Sequence, residues 1–458
     1  MDLDPRHSQP RTHLTVAVGA LLTAFTLIYL PFVGHGFVKD DFGWIARSPL
    51  ASWHDAGVLF VTSPSGFFRP MVSLSFGINR WFCGLTPLCY GLTNFALVLA
   101  CGAAIYALAR GLGLPQGAAV FASAVWLFNW HGINMATLWT SGRTALLAVL
   151  FGVTAAASLV RGRYALAAAL ALTAMLSKEE GVLVPAVLLA WLLIARRPLA
   201  GVIPFIVSSA AAEAFYLFLR ARSGAFTPGS APPFYQLSFT LSRVLDNLPG
   251  YFDRTATFTL VVLALGAVVC RPAWSALRRA DVRMVAFGAI WWVGTLAITV
   301  FLPVRSSLYA CLPSIGIVLI GAALVTAAWP AVTPDRQRRA VWAGLLLPFA
   351  LWPLYYTRNR PSVREAELSA RTIQTLQDVA RERGGGVVVL LNDDRSVRPT
   401  LDNAFGTVLP VAVDLMVSPR LTAWIDPPPV DAALAGLQTP SHIDVRYALR
   451  NGELVKEP

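Results

Sequence analysis

Charge is what this sequence has least of. Asp, Glu, Lys and Arg make up 14% of its 458 residues, hydrophobic residues make up 56%, and mean hydropathy is +0.59. That balance excludes an ordinary soluble domain, because apolar runs near the ~20 residues needed to cross a bilayer recur throughout the chain. Lysine is rarer still. Lys39, Lys178 and Lys456 are the only ones, and every other permanent cation is arginine. No Asp or Glu occurs from Ala56 to Lys178. The cysteines, Cys83, Cys89, Cys101, Cys270 and Cys311, show no metal-ligand spacing. The last three fall in apolar runs and read as small core residues. Cys83 and Cys89 could meet outside the membrane, but a sequence does not supply the geometry a disulfide needs. No internal repeat is present.

What charge there is gathers in two places. Lys39 abuts Asp40-Asp41 within Val38-Lys39-Asp40-Asp41-Phe42-Gly43-Trp44, and Lys178 abuts Glu179-Glu180. Charge at a bilayer edge must be solvated or paired, so the two clusters and a set of arginines are expected to form one polar site. The formal charge of +12 would admit nucleic acid. The arginines punctuate apolar runs rather than forming a patch, however, so no nucleic-acid partner is expected.

The first apolar run, residues 14–33, is too long for the hydrophobic region of a signal peptide, and no small-residue cleavage site precedes the Asp pair. It reads as a retained first helix. The polar residues before it, with Arg6 and Arg11, predict a cytoplasmic N-terminus, which puts the Asp pair on the opposite side. Residues 42–86 suggest short interfacial helices, one opened by Phe68-Arg69-Pro70 with proline in its first turn. Further spans are predicted at 88–109, 116–136, 139–160, 164–177, 181–195, 200–219, 255–270, 285–303, 308–329 and 340–357, about eleven in all. The runs at 164–177 and 181–195 are short for full spans. Ser177-Lys178-Glu179-Glu180 between them is therefore expected to face a water-filled cavity rather than lipid. Lys39, Arg69, Arg143, Arg220, Arg222 and Arg305 remain on the side that positive charge normally avoids, which suggests an anionic ligand there.

Residues 359–458 carry more charge and shorter apolar runs. An amphipathic helix is predicted at 362–383, a break at Gly384-Gly385-Gly386, a buried strand at Val387–Leu391 and a turn at Asn392-Asp393-Asp394. The expected fold is an all-α polytopic membrane protein, residues 1–358, with a small extramembrane α/β domain, residues 359–458.

Four stretches carry a family likeness. They are Phe37-Val38-Lys39-Asp40-Asp41; Phe68-Arg69-Pro70-Met71-Val72-Ser73-Leu74-Ser75-Phe76; Leu138-Trp139-Thr140-Ser141-Gly142-Arg143, followed by Leu176-Ser177-Lys178-Glu179; and Arg305-Ser306-Ser307-Leu308-Tyr309-Ala310-Cys311-Leu312-Pro313-Ser314. In this order, over roughly residues 10–330, the chain resembles the C-type integral-membrane glycosyltransferases, and within them the transmembrane O-mannosyltransferase-related group. It departs from that group at Met135, where relatives often carry Glu, and in lacking a tetratricopeptide tail.

The resemblance implies an inverting glycosyltransferase on the outer face of a bacterial inner membrane. Its donor would be a polyprenyl-phosphate sugar and its acceptor a protein, lipid or glycan. Asp40 matches the first acid of the family pair and is the expected base. Asp41 would orient the acceptor or bind a divalent metal, and no other cofactor is required. The residues suit that chemistry, because transfer needs a proton acceptor and positive charge on the departing phosphate. Arginine presents a planar fork to phosphate, so Arg143, Arg69 and Arg305, with Lys178, are the phosphate candidates. Glu179 is expected to orient Lys178 or an arginine. His131 reads equally as a core residue or a contact to acceptor or phosphate. Tyr309 and Trp139 could flank a sugar ring or anchor at the interface. Glu213 is expected to pair with Arg220. Buried charge would also suit a transporter or flippase of an anionic lipid-linked substrate, but such proteins often show internal repeats. A third reading, a non-catalytic envelope relative, draws its support from Met135.

Overall fold

The computed structural model describes residues 9–63, 66–227, 229–272, 274–384, 386–396, 398–418, 420–429, 432 and 440–457. An apolar backbone away from water must satisfy its own hydrogen bonds, and the apolar runs accordingly fold as helices. α1 (Gln9–Tyr29) is followed by three short helices, α2 (Asp40–Ala46), α3 (Trp53–Leu59) and α4 (Pro70–Cys83). Next come α5 (Pro87–Gly111), α6 (Gln116–Leu127), α7 (Ile133–Leu138), α8 (Arg143–Val160), α9 (Tyr164–Met175), α10 (Val184–Ile194) and α11 (Leu199–Arg222). The bundle is completed by α12 (Leu241–Cys270), α13 (Trp274–Leu277), α14 (Val282–Leu296), α15 (Ser314–Ala328), α16 (Pro334–Ala350) and α17 (Trp352–Arg383).

Seven described helical stretches are long and apolar enough to cross a membrane: Leu14–Phe32, Pro87–Gly111, Thr140–Val160, Leu199–Arg222, Leu241–Cys270, Ser307–Ala331 and Pro334–Arg383. The molecule is a multi-pass membrane protein. All eleven predicted runs are helical, but four of them, in α6, α9, α10 and α14, stay shorter. Small residues let these helices approach closely. A methyl group on Gly316 of α15 would lie 2.2 Å from the Gly288 carbonyl oxygen of α14.

The predicted strand is present as β1 (Val387–Asn392). Three strands that the sequence reading did not find join it: β2 (Leu421–Asp426), β3 (Val445–Arg450) and β4 (Glu453–Lys456). The sheet order is β2-β1-β3-β4, with β1 parallel to β2 and β3, and β4 antiparallel to β3. α18 (Leu401–Ala404) and α19 (Leu409–Met416) lie between β1 and β2 in the chain, and α19 packs on β2.

The expected domain boundary falls at 358/359. α17 runs through it without a break. One apolar core joins Phe37, Phe42, Trp44, Val72 and Phe76 to Leu368, Leu376, Val389, Phe405 and Val413. Shared apolar burial thus fixes the small domain against the segment that carries the Asp pair. Cys83 and Cys89, at the facing ends of α4 and α5, form a disulfide.

Candidate functional site

The two acids of the pair have opposite environments. Asp41 is fully buried. Its Oδ1 accepts from the Ser141 amide at 2.7 Å and the Ser141 hydroxyl at 2.5 Å, and its Oδ2 accepts from the Val38 amide at 3.0 Å. The roles expected of Asp41, orienting the acceptor or binding a metal, call for an open carboxylate, and both oxygens of this one are occupied. It ties the loop to the start of α8. Burial pushes its carboxyl up to about 7, against the opposing pull of Ser141 and Val38. A raised folded pKa contributes stability that is complete below the unfolded value of about 3.9 and is lost as pH rises through about 7. The thermal midpoint should therefore decline between about pH 4 and pH 7, and Asp41→Asn should flatten that slope. An unchanged slope in the variant would locate the titration elsewhere.

Asp40, the first residue of α2, has its side chain open to solvent. Among the described residues it has no hydrogen-bond or ion-pair partner. Protein nonetheless crowds around it closely enough that desolvation raises its carboxyl above the ordinary range, against the fields of Arg69, Lys39 and Arg47. The backbone before it is strained. Lys39 has φ 46° and ψ −123°, near the first central position of a type II′ turn that favours glycine. The Asp41 amide closes that turn on the Val38 carbonyl at 3.0 Å. A non-glycine residue there costs about 1–3 kcal/mol and persists only where its surroundings hold it.

Arg69 precedes Pro70, which opens α4 as predicted. The Met71 amide donates to the Leu176 carbonyl at 3.1 Å, which brings α4 against the 177–180 segment. That segment folds tightly back on α9. A methyl group on Gly181 would lie 2.4 Å from the Ala174 carbonyl carbon. Arg69 then grips Glu179 with Nε and Nη2, the latter 2.6 Å from Oε2, and stacks on Phe67 at 4.5 Å. Burial opposes both charges, yet each outweighs it for the other. Glu179 is held below the usual carboxyl range and Arg69 above the usual guanidinium range. Arg69 Nη1 makes no hydrogen bond to the described residues. Glu179 therefore orients Arg69 rather than Lys178. Lys178 pairs with Glu180 at 2.8 Å and lies over the Tyr309 ring at 4.3 Å.

The loop from Ser223 to Thr240 completes this wall. The Phe226 amide donates to the Gly66 carbonyl at 2.7 Å, and Phe67 packs edge-on against Phe226 and Tyr235. Tyr235 lies in the fields of Arg69, Asp40, Glu179 and Glu180, and burial raises its hydroxyl pKa. Arg220 donates to the Phe226 carbonyl at 3.0 Å rather than pairing with Glu213 as expected. Nothing in the sequence singled out Tyr235. Its Pro-rich loop has no periodicity, and the loop's place over Phe67 is a tertiary fact.

Arg143, the first phosphate candidate, is not in this group. It is fully buried, with Nε on Asn94 Oδ1, Nη1 on Asn79 Oδ1 and the Ser75 carbonyl, Nη2 on the Tyr90 carbonyl, and its guanidinium over Phe76 at 4.5 Å. Four of its five N–H donors are taken by these partners, and the group is sealed from solvent. The sequence signal for this role was Asn79 and Asn94 in otherwise apolar segments, and the reading passed over them. Arg143→Ala would strand two buried amide oxygens, and each hydrogen bond to a charged group contributes about 1.5–3 kcal/mol. A loss of more than about 3 kcal/mol in unfolding stability is expected, with normal donor affinity in any folded fraction. Selective loss of donor binding in a stable variant would restore the phosphate role.

Arg305 is exposed and donates to the Asp246 carbonyl at 3.3 Å. His131 lies 3.5 Å from Asp253, and burial, aided by Arg358, lowers its pKa to about 4. It is neutral at pH 7. Trp139 is half-buried against the apolar core of the helix bundle, around Trp126, Leu146 and Ile315, with its indole N–H unpartnered. Among the described residues no three His, Cys, Asp or Glu side chains gather where they could hold a metal ion.

The fold is a polytopic helical bundle with a small sheet domain. Crystal structures of ArnT from Cupriavidus metallidurans share it. The apo-state structure matches with a TM-score of 0.55 at 14% identity, over 96% of this chain and 93% of that one. The structure bound to undecaprenyl phosphate matches with a TM-score of 0.52 at 13% identity, over 95% and 93%. The sequence matches no protein-family model and no curated protein.

Proposed function

We propose that this protein is an inverting glycosyltransferase that uses a polyprenyl-phosphate sugar. The observation that carries the reading is the placement of Asp40. It is an open, unpartnered carboxylate beside an arginine that keeps one nitrogen free, in the fold of ArnT, one structure of which holds undecaprenyl phosphate. Asp40 takes the proton of an acceptor hydroxyl as its oxygen attacks the anomeric carbon. The bond from that carbon to the phosphate oxygen breaks, its electron pair leaves with the polyprenyl phosphate, and configuration at carbon inverts. Arg69 Nη1 donates to the phosphate as its charge grows, and the Lys178–Glu180 pair and Tyr309 shape the same wall. Asp40's raised pKa makes it a stronger base than a solvated carboxylate.

The protein would work at the outer face of a bacterial inner membrane, with the sheet domain outside the cytoplasm. A reporter active only in the cytoplasm, fused to the C-terminus, should be silent, and a strong signal would reverse that orientation. The test of function is release of polyprenyl phosphate from labelled donors by purified protein, across several sugars and with protein, lipid and glycan acceptors. Movement of intact donor across vesicles without release would favour the transporter reading.

A further inference from the structure

The strained turn at Lys39 is held from outside. The Lys39 amide donates to the Ala404 carbonyl at 2.9 Å. The ring of Phe42 stacks on that of Phe405 at 5.7 Å, and Phe405 is fully enclosed. Lys39 lies in the field of Glu365, which accepts from the Asn403 amide group at 3.2 Å. All these partners belong to α17, α18 and the residue that follows α18. The other flank of the segment is poorly filled. A cavity of about 310 Å³ lies between Gly36, Phe37 and Phe42 on one side and Ile373, Gln377 and Met416 on the other.

We propose that the C-terminal domain is a clamp that sets the position of Asp40, with Ala404 and Phe405 as positioning residues. The physical reason is the backbone at residue 39. A lysine does not hold that conformation unaided; Asp41 fixes the far end of the turn to Val38 and Ser141, and the Lys39 amide itself is held by Ala404. Without the clamp, the Val38–Asp41 turn relaxes toward negative φ and swings Asp40 away from Arg69. The domain thus acts on the base through the loop's backbone, and it touches neither donor nor acceptor. The catalytic consequence rests on the transferase reading, but the mechanical one does not.

The experiment is amide hydrogen exchange across residues 38–44 of the purified full-length protein, run beside the transfer assay. In Phe405→Ala, exchange there should rise by about tenfold, while α5 and α8 stay protected. Turnover should fall by a similar factor with unchanged donor affinity. Adding Lys39→Gly should return both toward the original values, because glycine adopts this backbone without support. A purely structural role for Phe405 would not be rescued at residue 39. Should Phe405→Ala not fold, Phe405→Leu keeps the bulk, removes the ring stack and is measured in the same way. Unchanged exchange at 38–44, or no recovery on adding Lys39→Gly, overturns the clamp. If exchange behaves as expected and no protein, the unmodified one included, transfers sugar, the clamp stands and the transferase reading falls.

Discussion

Asp40→Asn should lower sugar transfer by about 10²-fold or more, the usual scale for losing a general base, and should leave the fold and donor binding intact. The substitution keeps shape and removes only the ability to accept a proton. The fold is indifferent to it because the Asp40 side chain is open and makes no hydrogen bond to the described residues. No nearby acid can substitute. Asp41 is sealed by Ser141 and Val38, Glu179 is spent on Arg69, and Glu180 is paired with Lys178. The pH profile is a second readout. Crowding raises Asp40 above the ordinary carboxyl range, so transfer should fall on acidification at a pH above about 3.9. That acid limb should vanish from the residual activity of the variant. Asp41→Asn should act mainly on stability instead. Full activity in Asp40→Asn would end the base assignment, and vesicle transport of the lipid-linked substrate would become the next measurement.

Arg69→Ala should weaken donor binding by about 10- to 100-fold, the equivalent of one or two charged hydrogen bonds. Lysine should recover little of it. The fork occupies Nε and Nη2 on Glu179 and leaves Nη1, and an ammonium does not reproduce that two-nitrogen grip with a third nitrogen aimed elsewhere. The alanine variant also leaves Glu179 without its partner, which would repel an anionic donor and strain the fold. Arg69→Ala combined with Glu179→Gln separates these effects. Folding should recover while donor affinity stays low. Normal affinity in the double variant would make Arg69 a scaffold and shift the phosphate to Lys178 or Arg305.

Scarcity of charge made the site legible. With three lysines and no acid across more than a hundred residues, Lys39-Asp40-Asp41 and Lys178-Glu179-Glu180 had to be costly and therefore purposeful. The same logic found Arg69, because an arginine before a helix-opening proline is held in one place. It did not give the surroundings of Arg143, because a charge retained for function and one retained to pin helices look identical in sequence. Only the burial of Asn79 and Asn94 around it tells them apart.

By itself, then, the sequence determined that this is a multi-pass helical protein with a small mixed domain, since hydropathy and periodicity are local properties of the chain. It also determined which few charges could form a site. Tertiary structure alone decided which acid of the pair is open and which is sealed, and that Glu179 faces Arg69 while Lys178 turns to Glu180. It also decided that the sheet domain grips the acidic loop through Ala404 and Phe405. The physical reason is that exposure and pairing depend on atoms far apart in the chain. Asp41 is sealed by a residue 100 positions away, and Arg69 is gripped by one 110 positions away. No local pattern of hydrophobicity or charge encodes those distances.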